Sequence, residues 1–455
     1  MTLPRENVGD VEYKVTVYRD GKELKNKEGY SNVKEFIPGI EIFESLNSAT
    51  LEARLIVQDS SGFLGAMTGS ELFRIQIKGT IVDKVYFFRA YEIESRSRYQ
   101  GVDTFILNCA SDEFIKNEIV NIFGHSEVIF QGKTESSEII KQLLSDKRFI
   151  DTPKKLFVEQ SINKHQFISP NWRPFDVIYW LCQRSVRQAK GGGGLQNGFV
   201  FWENSLGYHF KSLDNIIDSV NSQDLKETNP SRGTAKLYTY SYSPSSVDDG
   251  AADTFKINAV TFPDERNFLS GLRHGTWSGY SIGFDPVTIT ESKVGLSADM
   301  SVDAYRYSIS EMWGKMSHLN KNKTTSPIKQ MDSGIQALID RPKRVRYSML
   351  PNQNFDPKYQ DNPQKNYEEI TELQAYQYLR IESFKNIKLT ISIPGNLDLY
   401  AGYGINVVLP GNFRNQDRTQ VDKKYSGRYV IAGLTHKILD TKITTDLLLV
   451  KDSVL

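Results

Sequence analysis

Cysteine is nearly absent: the 455 residues hold two, Cys109 and Cys182. Each closes an apolar stretch, Ile106–Cys109 and Trp180–Cys182. Two buried free thiols are therefore expected instead of a disulfide, and a thiolate metal site would need more ligands. Long apolar runs are missing as well. No stretch approaches the roughly 18 apolar residues of a membrane span. The start, Met1-Thr2-Leu3-Pro4-Arg5-Glu6-Asn7, has no apolar signal core. Neither a membrane anchor nor a secretory leader is expected, and the chain reads as one made in a reducing cytoplasm. No excess of either charge exists: Lys plus Arg is 56, Asp plus Glu is 55, and the net charge is +1. That excludes a dedicated nucleic-acid binder, which carries a strong basic excess, and leaves loose contact with a passing polymer open.

Catalytic motifs are missing too. The run Gly191–Gly194 lacks the Lys-Ser or Lys-Thr of a phosphate loop and reads as a flexible hairpin. His125, His165, His209, His274, His318 and His436 are scattered, without the helical pairing of metal ligands. They are expected to make surface or interface polar contacts. No Gly-x-Ser-x-Gly elbow occurs, and no pattern sets two carboxylates across a cleft. The reading is of a protein that is not an enzyme, with no catalytic residue, no metal and no cofactor.

What the chain does have is strand pattern and aromatic residues. It carries 23 Tyr and 24 Phe, which suit half-buried sheet faces and interface cores. Its length suggests about three domains. Val11, Tyr13, Val15 and Val17 alternate with polar residues ahead of an Asp20-Gly21 hairpin turn. Further strands are expected at 36–43, 49–58, 72–78, 85–96 and 102–110, with a short helix over 60–67. This is a compact all-β unit, closed or nearly closed, because closure removes exposed edges.

The last eighty residues repeat this order. Ala49–Val57, Gly69–Ile77, Tyr86–Ile93 and Thr104–Cys109 have counterparts in Asn386–Ile393, Gly402–Leu409, Gly427–Leu434 and Thr445–Val450. Internal repetition points to an assembly of repeated units more than to an enzyme with one pocket. Resemblance between any two antiparallel β domains explains the pattern equally well at this level.

Between the two blocks the texture is mixed. Thr134 is expected to cap a helix carrying Ile139, Ile140, Leu143 and Leu144, and Pro174 to open another. Phe199–Trp202 and Tyr208–Phe210 read as a hairpin, and Leu213–Val220 as a helix. Tyr240–Asp253 reads as an exposed loop, Phe255–Phe262 as a strand, and 320–363 as a loose arm. Asn366 with Glu369 is expected to cap a helix running to Phe384. The division is 1–112, a first β barrel; 113–235, an α/β insertion; 236–375, strands and an arm; and 376–455, a second β barrel. The fold class is mainly β with an α/β insertion. Arg341–Arg346 is the densest basic run, with Arg344 and Arg346 on one strand face. Ser169-Pro170-Asn171-Trp172-Arg173-Pro174-Phe175-Asp176 is the most distinctive string. Its Trp172 and Arg173 read equally as an interface anchor and as a turn staple.

Leu389–Asn396 followed by Leu399–Val407, then Tyr425–His436, and Ser169–Ser185 together resemble the baseplate hub proteins of contractile-tail phages. The resemblance spans most of the chain and is weak between about 291 and 365. It implies two tail-tube-like barrels joined to an α/β insertion, in a homotrimer presenting six similar units in a ring. The implied partners are a spike, expected as a separate protein because no spike repeats precede Leu455, the tail tube or a tube-initiator protein, baseplate wedge proteins and a tape-measure protein. DNA would pass transiently through the ring. The implied place is the virion tail baseplate, assembled in the host cytoplasm. Trp172, Arg173, Tyr400, Tyr403, Tyr429, Leu448 and Leu449 are the expected interface residues. A β-rich receptor- or carbohydrate-binding tail protein and a cell-wall hydrolase are the alternatives.

Overall fold

The computed structural model describes residues 9–25, 29, 31–62, 64, 67–79, 81–122, 130–189, 194–242, 254–263, 267–284, 305–320, 324–341, 344–349, 363–411 and 421–455. The protein is mainly β. The amino-terminal unit holds β1 (Glu12–Arg19), β2 (Lys22–Glu23), β3 (Gly39–Ser45), β4 (Glu52–Asp59), β5 (Leu72–Lys78), β6 (Asp83–Tyr99) and β7 (Val102–Ala110). Alternation is strict in β4, which buries Ala53, Leu55 and Val57 and exposes the residues between them. Tight turns join the hairpins. Asp20-Gly21 and Gln100-Gly101 both take positive φ, the geometry that matches the right-handed twist of the flanking strands.

The insertion follows, with α1 (Asp112–Ile119), β8 (Phe130–Glu135), α2 (Ser136–Ser145), β9 (Leu156–Val158), β10 (Lys164–Phe167), α3 (Pro174–Cys182), β11 (Arg187–Gln188), β12 (Leu195–Gln196), β13 (Phe199–Asn204), β14 (Gly207–Ser212) and α4 (Leu213–Asn221). Pro174 opens α3, as its fixed φ favours. Thr134 does not cap α2. It lies in β8, and Glu135 holds the cap position. Ile139, Ile140, Leu143 and Leu144 are all buried.

Next come β15 (Thr239–Ser241), β16 (Ala259–Thr261), α5 (Phe268–His274), β17 (Ser278–Phe284), β18 (Tyr305–Ser308), α6 (Ile309–Met312), α7 (Ser333–Ile339), β19 (Arg344–Met349) and α8 (Pro363–Phe384). Tyr240 is fully buried in β15, so the exposed loop does not begin there. Gly191–Gly193 and 243–253 lie outside the described residues. Within the expected arm, 320–363, the described residues include α7 and β19, and β19 joins β17 and β18 in a small sheet against α8. Helix α8 begins at Pro363, three residues before the expected cap, and ends at Phe384. The last unit holds β20 (Ile387–Pro394), β21 (Gly404–Val408), β22 (Gly427–Leu439) and β23 (Lys442–Lys451).

The two β units share one thirteen-strand sheet. In the first, the neighbours run β1-β5-β6-β7-β4-β3; in the second, β15-β21-β22-β23-β20-β16. With the two-residue β2 set aside and the rest numbered by position within each unit, both orders are the same. The first strand pairs with the fourth, the fourth with the fifth, the fifth with the sixth, the sixth with the third and the third with the second. Fine register agrees. Cys109 sits between Ala53 and Ala90, and Leu449 between Leu389 and Ile431. A bulge follows Ala90 in β6, and another follows Ile431 in β22. Bulges mark specific positions in a sheet, so their coincidence supports duplication over chance likeness. One difference is direction: β1 runs antiparallel to β5, whereas β15 runs parallel to β21.

Each unit encloses its own core. Val15, Ile42, Leu55, Phe73, Phe88 and Leu107 belong to the first, and Ile391, Ile405, Tyr429, Leu434, Leu447 and Leu449 to the second. Hairpin β22–β23 forms as its sequence indicates, pairing Val430 with Val450 and Leu439 with Lys442. Leu447 and Leu449 point into the core, Val450 packs under the insertion, and Leu448 is 43% exposed. Leu449→Asp should therefore leave the protein unfolded, since a buried unpaired carboxylate costs several kcal/mol. Leu448→Asp should fold normally. Circular dichroism and limited proteolysis of both variants check this.

Candidate assembly surfaces

Strand β22 carries the junction between the units. Its first half pairs with β21, Gly404 to Val430 and Val407 to Gly427. Beyond the bulge at Ala432 the same edge pairs with β3, from Gly433↔Ser45 to Leu439↔Gly39. Ile438 and Ile443 of the β22–β23 tip, with Leu397, enter the core of the first unit. Each such side chain contributes roughly 1.5–3 kcal/mol on burial.

A polar knot fixes this seam. The Glu44 carboxylate accepts from the Ala401 backbone N–H at 3.0 Å and from the Ser205 N–H at 2.9 Å. It thereby binds the first unit to the second unit and to the β13–β14 turn. Lys84 donates to the Tyr400 hydroxyl at 2.8 Å, and that hydroxyl donates to Asp398 at 2.8 Å. Tyr238 and Thr228 donate to the other Asp398 oxygen, both at 2.7 Å. Trp202 Nε1 and Asn204 Nδ2 donate to the Ala401 carbonyl at 3.0 Å. Gly402 follows with φ +85°, and a Cβ there would lie 2.3 Å from the Trp202 ring. Burial pushes the Glu44 carboxyl up to about 7, against the lowering effect of its backbone donors and Lys84. Burial also lowers Lys84, opposed by Glu44 and Asp398.

The expected interface residues fall into two groups. Tyr400, Tyr403, Tyr429 and Leu449 are buried inside the subunit. Tyr403 donates to the Gly233 carbonyl at 2.6 Å and Tyr429 to the Tyr425 carbonyl at 2.7 Å. These four hold the subunit together and present no surface to a partner. Trp172, Arg173 and Leu448 reach the surface. Trp172 is half-buried against Trp180, with ring centroids 6.2 Å apart, and its carbonyl accepts from Ile122. Arg173 joins Glu118 of α1 to Asp176 of α3 at 2.6 and 2.9 Å, so it staples helices as well as facing solvent.

Several histidines differ from expectation. His165, His209 and His436 are fully buried: His436 Nδ1 bonds the Thr445 hydroxyl at 2.9 Å, and His209 stacks on Trp202. Arg346 is drawn inward from its strand edge, bonded to the Tyr307 hydroxyl at 3.2 Å and lying over the Tyr378 ring. Glu44, Lys84 and Asp398 carry no local pattern that would single them out, since each is one charge at a strand end or turn. No described group of three His, Cys, Asp or Glu side chains could hold a metal, and no described helix is long and apolar enough to cross a membrane.

The outer faces of the two units are treated differently. On β22, Val430 is covered by Trp202, Leu213, Ile217 and Val220 of the insertion. The matching face of β6 shows Phe87 54% exposed and Tyr91 49% exposed. The edges differ too. Along the far half of β6, residues 94–99 are exposed and pair only with β7 among the described residues. β16 pairs only with β20 among them.

No family model and no curated protein matches this chain. Among solved structures it is similar to the tail protein from Neisseria meningitidis MC58, with TM-score 0.50 and 11% identity over 97% of each chain. The 43 kDa tail protein of prophage MuSo2 from Shewanella oneidensis aligns at TM-score 0.47 and 9% identity, over 96% of this chain and 98% of that one. A chain of the half-lidded Francisella PdpA–VgrG complex aligns at 0.49 and 11% identity, over 98% of this chain and 58% of that one. The first of these likenesses is one of fold, and it runs over nearly the whole length of both chains.

The Glu44 knot has a pH consequence. A carboxyl raised above its ordinary range binds its proton more tightly when folded. Its contribution to stability is full below about pH 4.5 and declines as pH rises to about 7. From about pH 5 to about pH 7 the protein should lose on the order of 2–3 kcal/mol relative to Glu44→Gln. Urea unfolding of both proteins at the two pH values checks this, and a constant difference would show that Glu44 titrates normally.

Proposed function

We propose that this chain is the structural hub of a contractile-tail baseplate. Three copies form a ring that joins a three-fold spike to a six-fold tail tube and lets DNA pass. The supporting observation is the duplication: two units of the same strand order, with the same bulge, lie side by side in one sheet. Three such chains supply six similar units around an axis, which reconciles three-fold with six-fold symmetry. The near-zero net charge suits a channel through which a polyanion slides without being held. The fold it shares is that of a tail protein. On this reading the chain has no catalytic role. Its partners are two further copies of itself, a separate spike, the tube or its initiator, wedge proteins and a tape-measure protein, and its place is the virion tail.

Trp172, Arg173 and Leu448 are the expected interface residues with surface to offer such partners. Light scattering of the purified protein, alone and with its spike, should give a trimer mass. A stable dimer, or a monomer that persists with spike present, would overturn the ring. Leu448→Asp should fold and weaken assembly by roughly tenfold or more, read as the concentration at which the trimer dissociates.

A further inference from the structure

Within the subunit, the far half of β22 pairs with β3. The counterpart of β22 is β6, and the counterpart of β3 is β16. Both have the corresponding edge unpaired among the described residues. We infer that the free edge of β6 in one subunit pairs, antiparallel, with the free edge of β16 in the next copy, in the register set by the internal seam. This deepens the hub reading and rests on it, since it names the strands that close the ring.

The register follows residue by residue. Ala53 of β4 and Leu389 of β20 are equivalent, each pairing with the residue opposite the bulge site. Arg54, which pairs with Glu41, then matches Thr390, which pairs with Thr261. Glu41 and Thr261 are therefore equivalent. On the other strand, Lys437 pairs with Thr444 and Ser97 with Thr104. Thr444 and Thr104 are each five residues before Leu449 and Cys109, so Lys437 and Ser97 are equivalent. Inside the subunit Lys437 pairs with Glu41. Between subunits, Ser97 should pair with Thr261, Arg98 with Val260 and Tyr99 with Ala259 of the next copy. Such a contact joins unlike surfaces, and a head-to-tail contact of this kind closes into a ring when its rotation permits.

Chemistry at the two seams differs as their histories require. The inward residues of the internal tip are Ile438 and Ile443, which are buried from the moment the chain folds. Their counterparts on the free tip are Arg98 and Asp103, paired at 2.5 Å, with Arg96 donating to the same carboxylate at 2.9 Å. A free edge bearing charge, and a further bulge between Glu94 and Ser97, stays soluble before assembly. Tyr99, at 75% exposure, and the uncovered Phe87 and Tyr91 flank that edge.

Disulfide trapping tests the register. Ser97→Cys and Thr261→Cys are prepared as separate proteins, mixed and mildly oxidised. Cys109 and Cys182 are buried and stay silent. The equivalent internal pair, Lys437→Cys with Glu41→Cys in one chain, is the control and should close within the subunit. The mixture should give a covalent dimer that neither variant gives alone, and a chain carrying both Ser97→Cys and Thr261→Cys should give a ladder ending at three chains. A light-scattering trimer with a closed internal control and no 97–261 bond overturns the edge pairing and leaves the hub reading intact. In that case Arg98, Asp103 and the bulge act only to keep the edge from pairing. A protein that stays monomeric with spike present overturns both.

Discussion

The architecture depends on one strand edge used twice. A β-strand has two edges, and β22 gives one of them to β23 from Val430 to Leu439. The other is divided at Ala432: β21 takes the half before the bulge and β3 the half after it. The bulge adds a residue and re-aims the strand, so a single strand can belong to the core of its own unit and to the wall of its neighbour. Without that division the units would be held by the polar knot and by the packing of Leu397, Ile438 and Ile443. With it they are successive segments of one curved sheet, and the angle between them is held by a hydrogen-bond ladder.

Buried charge makes the junction specific. Glu44, Lys84 and Asp398 are held by hydroxyls, backbone amides and one another. A second cluster ties α8 and the insertion to the end of β23. Arg380 lies 3.3 Å from Asp452 and 3.5 Å from Asp214, and His318 bonds Asp452 at 2.8 Å. Replacing such ions by apolar residues often costs nothing, whereas removing one partner is expensive. Their presence is consistent with a need for one arrangement of units over others of similar burial. The ring of the proposed function would impose that need, since a small error in the angle between units would accumulate around the circle.

The insertion breaks the internal symmetry. It lies on the outer face of the second unit, where Trp202 and α4 cover Val430, and leaves the equivalent face of the first unit with Phe87 and Tyr91 in the open. The two units are alike in wall and unlike in surroundings. On the proposed hub reading, that suits a part which looks six-fold from one side and three-fold from the other.

The sequence by itself determined the strands whose partners are near in the chain. β5, β7 and β23 alternate strictly, and Asp20-Gly21 marks its turn, because alternation and turn chemistry are local and need no knowledge of the partner. It also carried the matching order of glycine turns and alternating runs in the two blocks, but duplication was separated from chance likeness only by the shared strand order and bulges. Tertiary structure alone decided the rest. β15 and β16 are three residues each, and each becomes a strand because β21 and β20 offer it an edge far along the chain. Tyr400, Tyr403 and Tyr429 read as surface aromatics in sequence and are interior, because which face of a loop or sheet is covered depends on what packs there. The same holds for His209 and His436. The seam between β22 and β3 joins residues almost four hundred positions apart. No local pattern encodes it, since hydrogen bonding along a strand edge is a property of the backbone and is the same for every sequence that can reach it.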